Sequence, residues 1–418
     1  MLSDKEREIT RIVRRKVLEK LEYDGEASDE RIEELVMACL EEEIKNDFFP
    51  YHRRAILGKE VFYSLRKLDI LQSLLENPEV TEIMVNGPDA VFVEEGGRLH
   101  KLEDKFESKE KLRNIIQQIV AKCNRVVNDM TPIVDARLED GSRVNVVLDP
   151  VALNGPILTI RRFPKHPFDM EKLIYIHSLS GEAARLLKKL VYAGYNILVS
   201  GGTGSGKTTF LNALSGYIPS DERIITIEDS AELQIQGIQN LIRMETKNAN
   251  LESGKAISIR DLISTSLRMR PDRIVVGEVR GSEAMDMICS AMNCGHDGSM
   301  STIHANSAED TLLRLETMIL MAAQIPIAAI RQQISSGVDI IVYLGRLRDK
   351  SRRVLQIVEI DGMENGEIRI NPLYRFEETS GKTEGAVKGE ILKIGELRNV
   401  RKMEAAGLTV REEEIICE

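Results

Sequence analysis

A glycine-rich run at residues 201–209, GGTGSGKTT, carries the clearest chemistry in the sequence. It matches the pattern G-x-x-x-x-G-K-[ST], in which glycines let backbone N–H groups curl around a phosphate. The lysine of this pattern reaches the β- and γ-phosphates of a nucleotide, and the hydroxyl of the next residue can bind Mg²⁺. The predicted nucleotide-binding residues are Gly201, Gly202, Thr203, Gly204, Ser205, Gly206, Lys207, Thr208 and Thr209.

Two strand-like apolar runs each end at a carboxylate. The run 274–277 leads to Glu278, where an acidic residue beside a phosphate loop would bind Mg²⁺ through water. The run 224–227 leads to Glu228, and a carboxylate there could orient or deprotonate the attacking water. Each of them could also be a surface carboxylate, because many strands end in acidic turns.

Two histidines, His296 and His304, lie in the segment CGHDGSMSTIHANS. Their spacing of eight residues is not the i,i+4 spacing of a helical zinc pair, and no Cys or carboxylate spacing completes a metal site. On their own they are interpreted as polar residues whose hydrogen bonds are satisfied. Beside a phosphate loop, they could instead bond the γ-phosphate and report its loss.

The composition limits the classes of protein to which this chain could belong. Of its 418 residues, 42% are hydrophobic and 30% are charged, which excludes wholesale disorder. The net charge of −10 argues against a protein that coats DNA or RNA, and aromatic residues at 4% offer few platforms for stacking bases. No stable binding of nucleic acid is therefore expected.

The apolar and cysteine patterns favour a protein of the cytoplasm. The most apolar stretch, 318–330, is interrupted by Gln324 and Pro326 and is too short to span a membrane. The first ten residues have no apolar core, so a secretory signal is not expected. The five cysteines are dispersed and form no CxxC pair, which is typical of reduced thiols.

The strands and helices that must position these residues follow from changes of pattern along the chain. Alternating strands and helices around the phosphate loop predict an α/β fold, with a parallel sheet covered on both faces. Pro164 and Pro167 mark a linker that could act as a hinge. We predict a helical bundle at 1–72, a small α/β domain at 73–163, a linker at 164–169, the phosphate-loop domain at 170–376 and a tail with a short helix at 377–418.

Four segments together resemble the secretion ATPase superfamily, which drives type II and type IV secretion and type IV pili. They are GGTGSGKTT, ITIEDSAEL, RPDRIVVGEVRGSEA and GHDGSMSTIHANS, and they resemble its Walker A, Asp, Walker B and His boxes in order and spacing. The segments DGSRVNVVLDPVALNGPILTIRRF and RQQISSGVDIIVYLGRLRDKSRRVLQIVEIDGM, with the helical leader, are similar to the CpaF branch, the ATPases of Tad pili. One departure is Cys294, where the His box usually has Thr.

The resemblance implies a role for each residue that matches a box. Lys207 and Thr208 would bind phosphate and Mg²⁺, and Glu278 would be the Walker B acid. Glu228 would be the catalytic carboxylate of the Asp box. Arg280 would tie the Walker B strand to the nucleotide pocket.

Histidines and arginines outside the loop receive roles in the same way. His296 and His304 would sense the nucleotide state. The family's N-terminal α/β domain lends arginines to an active site, and Arg143, Arg161 and Arg162 lie in the matching segment. For these arginines, surface charge on strands is an equally good interpretation.

The resemblance also implies an architecture and partners. The fold would be a RecA-like P-loop domain preceded by a small PAS-like α/β domain and the helical bundle. The chain would form a homohexamer that uses Mg²⁺ and ATP to push on inner-membrane platform proteins. It would thus be cytoplasmic and peripheral to the membrane through its partners.

Three other functions stay open at this point. The chain could be the ATPase of a type IV system that transfers DNA or protein. It could be a slow, nucleotide-gated scaffold, although Glu228 and Glu278 argue against a pure binder. A RecA-like nucleic-acid motor is disfavoured by the acidic charge balance.

Overall fold

The computed structural model describes residues 2–21, 27–45, 49–123, 125–162, 167–247, 256–379 and 387–409. The chain forms two compact units, Met1–Lys165 and His166–Glu418. The predicted linker falls partly outside the described residues, and the domain limits drawn from the sequence stay predictions. Within the described ranges, no helix combines the length and the apolar character needed to cross a membrane.

The first unit begins with helices that share one apolar core. Those that share it are α1 Asp4–Leu21, α2 Asp29–Glu43 and α3 Tyr51–Arg66, whereas α4 Ile70–Glu76 packs Leu71 into the apolar core of the following sheet. Val13, Cys39 and Leu57 are fully buried where α1, α2 and α3 meet. The apolar positions recur at helical spacing, so each helix gains its stability from this shared core.

A six-stranded antiparallel sheet completes the first unit. Its strands are β1 Val80–Asn86, β2 Val91–Glu95, β3 Arg98–Lys101, β4 Ile133–Arg137, β5 Arg143–Val147 and β6 Ile157–Arg161, in the order β3-β2-β1-β6-β5-β4. Helix α5, Lys109–Lys122, packs Ile116 and Ile119 against Val144 and Ile160 on one face. Alternate residues of β5 and β6 are less buried and point to the other face.

The second unit is built on a nine-stranded sheet. Its strands are β7 Ile197–Gly201, β8 Arg223–Glu228, β9 Asn240–Glu245, β10 Arg273–Val279, β11 Met300–His304, β12 Ile340–Arg346, β13 Arg352–Glu364, β14 Glu367–Glu378 and β15 Gly389–Lys393. The order is β15-β14-β13-β12-β7-β11-β10-β8-β9. From β12 to β9 all neighbours are parallel, whereas β12 to β15 are antiparallel.

Helices cover both faces of this sheet. They are α6 Met170–Tyr175, α7 Gly181–Tyr192, α8 Lys207–Ser215, α9 Ile259–Ser266, α10 Glu283–Asp286 with a π-helical turn Met287–Met292, α11 Ala308–Ala322, α12 Ile327–Gly337 and α13 Arg401–Ala405. In β7, Ile197 and Val199 belong to one apolar core and Leu198 belongs to the other. This alternation is what a sheet covered on two faces requires, and it explains the continuous apolar run.

The last strands of the described chain extend the main sheet. β13 and β14 join it within the predicted phosphate-loop domain, and β15 lies in the predicted tail. The expected short helix is α13, where Lys402 Nζ lies 2.8 Å from Asp339 Oδ2. Tyr195 donates a 2.6 Å hydrogen bond to the Asn399 carbonyl. The described part of the tail is therefore packed on the phosphate-loop domain.

Candidate functional site: a phosphate loop at the carboxyl edge of the parallel sheet

Strand β7 and helix α8 hold the glycine-rich loop between them. Gly201 ends β7 with φ 155°, and a Cβ there would lie 2.4 Å from the Leu344 carbonyl oxygen. Gly206 has φ 92°, in the left-handed region, and α8 begins at the next residue. Both glycines are therefore required by the backbone, and the amino terminus of α8 faces the loop.

The side chain of Lys207 folds back over this loop. Its Nζ donates a 3.0 Å hydrogen bond to the Gly202 carbonyl, and it lies 3.3 Å from Nδ1 of His304. Lys207 is only 7% exposed. Burial lowers the pKa of Lys207, and the Glu278 carboxylate opposes that shift. A fixed ammonium group beside the loop is suited to binding phosphate oxygens.

Glu278 lies between a histidine and an arginine at the same edge of the sheet. His304 Nε2 is 2.8 Å from Glu278 Oε1, although that contact is not aligned as a hydrogen bond. Arg280 Nη2 lies 2.7 Å from Glu278 Oε2, and its Nη1 lies 3.9 Å from Oδ2 of Asp229, the residue that follows the neighbouring strand β8. Glu278 lies inside β10 and not after it, since this strand is longer than its apolar run. Burial lowers the pKa of His304, so a neutral imidazole can contact both Lys207 and Glu278.

Glu228 is the most deeply buried carboxylate of the site, at 3% exposure. Its Oε1 accepts hydrogen bonds from the backbone N–H groups of Glu232 and Leu233, at 2.8 and 2.9 Å. Burial raises the pKa of Glu228 to about 7, against the lowering effect of these two N–H groups. A Cβ on Gly277 would lie 2.9 Å from its Cγ, so glycine there leaves room for the side chain. A carboxylate poised near neutral pH is suited to accept a proton.

The raised pKa of Glu228 predicts a pH dependence of stability. The folded chain keeps this proton up to about pH 7, whereas the unfolded chain releases it near 4.5. The protonated side chain of Glu228 therefore stabilises the folded state fully below pH 4.5, and this contribution is lost as the pH rises through 7. Glu228→Gln has no proton to release, so its free energy of unfolding does not fall in this way. Between pH 4.5 and pH 8, wild type should therefore lose roughly 3 kcal/mol of stability relative to Glu228→Gln. Urea unfolding of both proteins at the two pH values measures this; an equal difference at both would contradict it.

The residues of the loop edge fit a nucleotide with Mg²⁺. Glu228 Oε2, Glu278 Oε1 and Ser205 Oγ are buried and have no hydrogen-bond partner within the described residues. Among the described residues other than the chain neighbours, no heavy atom lies within 4 Å of a Cβ built on Gly202 or Gly204, so the loop has open space beside it. Buried polar atoms without partners cost free energy unless a ligand or water satisfies them.

The two predicted histidines lie at opposite ends of one strand. His304 ends β11 directly beside Gly201, whereas His296 precedes the strand at its amino end. A five-residue strand separates the ends by about 16 Å. The structure therefore groups His304 with the phosphate loop and does not group His296 with it. The His296 carbonyl accepts a 2.8 Å hydrogen bond from Ser299 Oγ, which is a structural contact.

The predicted arginines belong to the first unit and divide into two kinds. Arg143 and Arg161 are opposite each other on β5 and β6, and Arg137 is opposite Arg143 on β4. Directly paired residues share one face of an antiparallel sheet, so the three arginines form a row on the face away from α5. Arg162 instead donates from Nη1 to three backbone carbonyls, including that of Val80 at 3.0 Å. Arg162 thus has a structural contact. Arg137 could not be predicted from the sequence, because its place opposite Arg143 depends on the register between two strands.

The site and the sheet together define a class of protein. A phosphate loop that follows the central strand, with carboxylates on two strands beside it, is the site of a P-loop nucleotide-binding domain of the RecA-like α/β type. The chain belongs to the family of type II/IV secretion system proteins, whose sequence pattern matches residues 64–383. The resemblance seen in the four boxes is confirmed.

Individual relatives agree with this family, and one solved structure shares the fold. The chain is 32% identical over 322 residues to the type IV secretion system protein PtlH of Bordetella pertussis, covering 71% of this chain and 95% of PtlH. It is 30% identical over 315 residues to the conjugal transfer protein TrbB of Rhizobium radiobacter, covering 75% and 93%. The crystal structure of the pilus retraction motor PilT with bound ADP shares the fold, with a TM-score of 0.51 and 20% identity over 81% of this chain and 87% of PilT.

Proposed function

We propose that this chain is a hexameric motor that hydrolyses Mg·ATP to power assembly of a Tad-type IV pilus, or type II or IV secretion. The observation that carries the proposal is the meeting of Lys207, Glu228 and Glu278 around one phosphate loop at one edge of the sheet. A protein that only binds nucleotide needs no buried carboxylate with a pKa near 7, so Glu228 favours an enzyme over a scaffold.

Each residue of the site has a part in the proposed reaction. The loop N–H groups and Lys207 bind the phosphates, and Glu228 accepts the proton of the attacking water. Thr208 and Glu278 would hold Mg²⁺, which neutralises charge on the β- and γ-phosphates when bound. His304 contacts both Lys207 and Glu278, so a change at the γ-phosphate can reach it directly.

The remaining predicted residues and partners complete the proposal. Arg280 keeps Glu278 and Asp229 in place. Arg143 and Arg161 would stabilise the γ-phosphate. A sensing role for His296 stays a prediction. The motor would work at the cytoplasmic face of the membrane through platform proteins, without stable binding of nucleic acid.

A second candidate is supported by two of the relatives. PtlH belongs to a type IV secretion system and TrbB to conjugal transfer, so the motor could serve a system that moves protein or DNA. Deleting the gene separates the two: loss of a surface filament with secretion intact favours the pilus, and loss of a transferred cargo favours the type IV system.

The direct test measures ATP turnover and native mass of the purified full-length chain. We expect turnover that requires Mg²⁺ and stops on chelation, in a particle of six chains. Lys207→Ala should weaken nucleotide binding about a hundredfold, because it removes a buried charge that bonds phosphate. Lys189→Ala on α7 is a matched control that should bind like wild type. A Lys207→Ala protein that binds and hydrolyses ATP normally would contradict the assigned loop.

A further inference from the structure

An arginine from a distant part of the chain contacts the phosphate loop. Arg352, the first residue of β13, donates a 2.8 Å hydrogen bond from Nε to the Gly204 carbonyl. Its Cδ lies 3.4 Å from the place where a Cβ on Gly206 would stand. The arginine therefore lies along the outer side of the loop, across its tip and its last glycine.

The backbone of Arg352 is fixed to the strands that carry the loop. Its Cα is opposite Arg346 of β12. Leu344, two residues before Arg346 in β12, is in turn beside Gly201 of β7. The Arg352 carbonyl also accepts a 3.0 Å hydrogen bond from the buried Ser178 hydroxyl. These contacts fix the backbone of Arg352 beside the loop. Forming the hydrogen bond from its guanidinium therefore requires little further ordering of the backbone.

The bond to Gly204 determines which way the next peptide group points. In a trans peptide the C=O and the following N–H point in opposite directions, so holding the Gly204 carbonyl outward turns the Ser205 N–H inward. That N–H makes a 3.3 Å contact with the Gly202 carbonyl, which is long for a backbone hydrogen bond. It can therefore exchange this contact for a phosphate oxygen at small cost.

We propose that Arg352 is a positioning residue for nucleotide binding, which orients the 204–205 peptide so that the Ser205 N–H faces the phosphates. The inference rests on the proposed nucleotide-binding function. Within the described residues, Nη1 and Nη2 of Arg352 make no hydrogen bond, so the guanidinium is bound to the protein by the single hydrogen bond from Nε. Sequence alone gives this arginine no role, since it lies in the charged run RLRDKSRR.

Three substitutions at position 352 separate orientation from charge. Glutamine places an N–H donor where arginine has Nε but removes the charge. Lysine keeps the charge but has a carbon atom in the place of Nε. Alanine removes both the donor and the charge. We expect Arg352→Ala to raise the Kd for ADP and the KM for ATP about tenfold with little change in kcat, because one charge-assisted bond is lost. Arg352→Gln should restore most of the affinity, and Arg352→Lys should restore less.

Arg348→Ala is the matched control. Arg348 lies in the same turn and pairs with Glu378 at the surface, so its loss removes the same charge without touching the loop. We expect wild-type affinity for this variant and unchanged unfolding midpoints for all four variants without nucleotide. Restoration by lysine but not by glutamine would overturn the orientation argument in favour of charge.

The outcome for wild type keeps this inference separate from the proposed function. Wild type that binds a fluorescent ADP analogue, together with an Arg352→Ala protein of equal affinity, overturns the role of Arg352 alone. Wild type that binds no nucleotide overturns the proposed function itself.

Discussion

Replacing Glu228 with glutamine is expected to lower ATP turnover by about three orders of magnitude and to leave the affinity for Mg·ATP nearly unchanged. Glutamine keeps the size of the side chain and can still accept the two N–H groups of Glu232 and Leu233 through its amide oxygen. It can hydrogen-bond a water molecule but cannot take its proton. Single-turnover hydrolysis and equilibrium binding of ATP, measured on the same preparation, separate these two properties.

A neighbouring carboxylate provides the control for this prediction. Glu232 lies four residues further on, and its backbone N–H donates a hydrogen bond to Glu228. Glu232→Gln should therefore keep wild-type turnover. If Glu228→Gln hydrolysed ATP normally and Glu232→Gln did not, the proton acceptor would be Glu232, and the buried carboxylate would have a structural role.

The phosphate loop and its two carboxylates could be predicted from the sequence because each depends on local features. The loop acts through the backbone, and its four glycines lie within the six residues 201–206. Glu228 and Glu278 follow apolar runs, and parallel strands bring the carboxyl ends of such runs to one edge of a sheet. The meeting of these residues beside Gly201 therefore follows from strand positions alone.

Residues whose position depends on pairing between distant strands could not be predicted. Arg137 joins the arginine row only through the register of the β4–β5 hairpin, and a shift of one residue would turn it to the other face. Arg352 meets the loop because β13 adds to the sheet beside β12, which no local pattern reveals. His296 and His304 lie in the same short segment of the sequence, yet the length of strand β11 separates them in the structure.

The arginine row should matter for turnover more than for folding. Arg143 and Arg161 are directly opposite each other, and Arg161 is also opposite Glu82 of β1 on its other side. Arginines supplied to a transferred phosphate are worth roughly 10³-fold or more in rate. The double substitution Arg143→Ala with Arg161→Ala is thus expected to lower kcat about a thousandfold while ADP still binds.

Two further variants distinguish this role from plain surface charge. Arg98→Ala with Lys101→Ala removes two positive charges from the edge strand β3 of the same sheet and should leave kcat unchanged. Arg162→Ala should lower the stability of the first unit, because three backbone carbonyls lose their donor, with a smaller effect on kcat in the folded protein. Wild-type turnover in a folded, assembled Arg143/Arg161 double variant would show that the arginine row is plain surface charge with no part in hydrolysis. Equal losses in the β3 control would point to the net charge of the unit, since the two variants share only their change in charge.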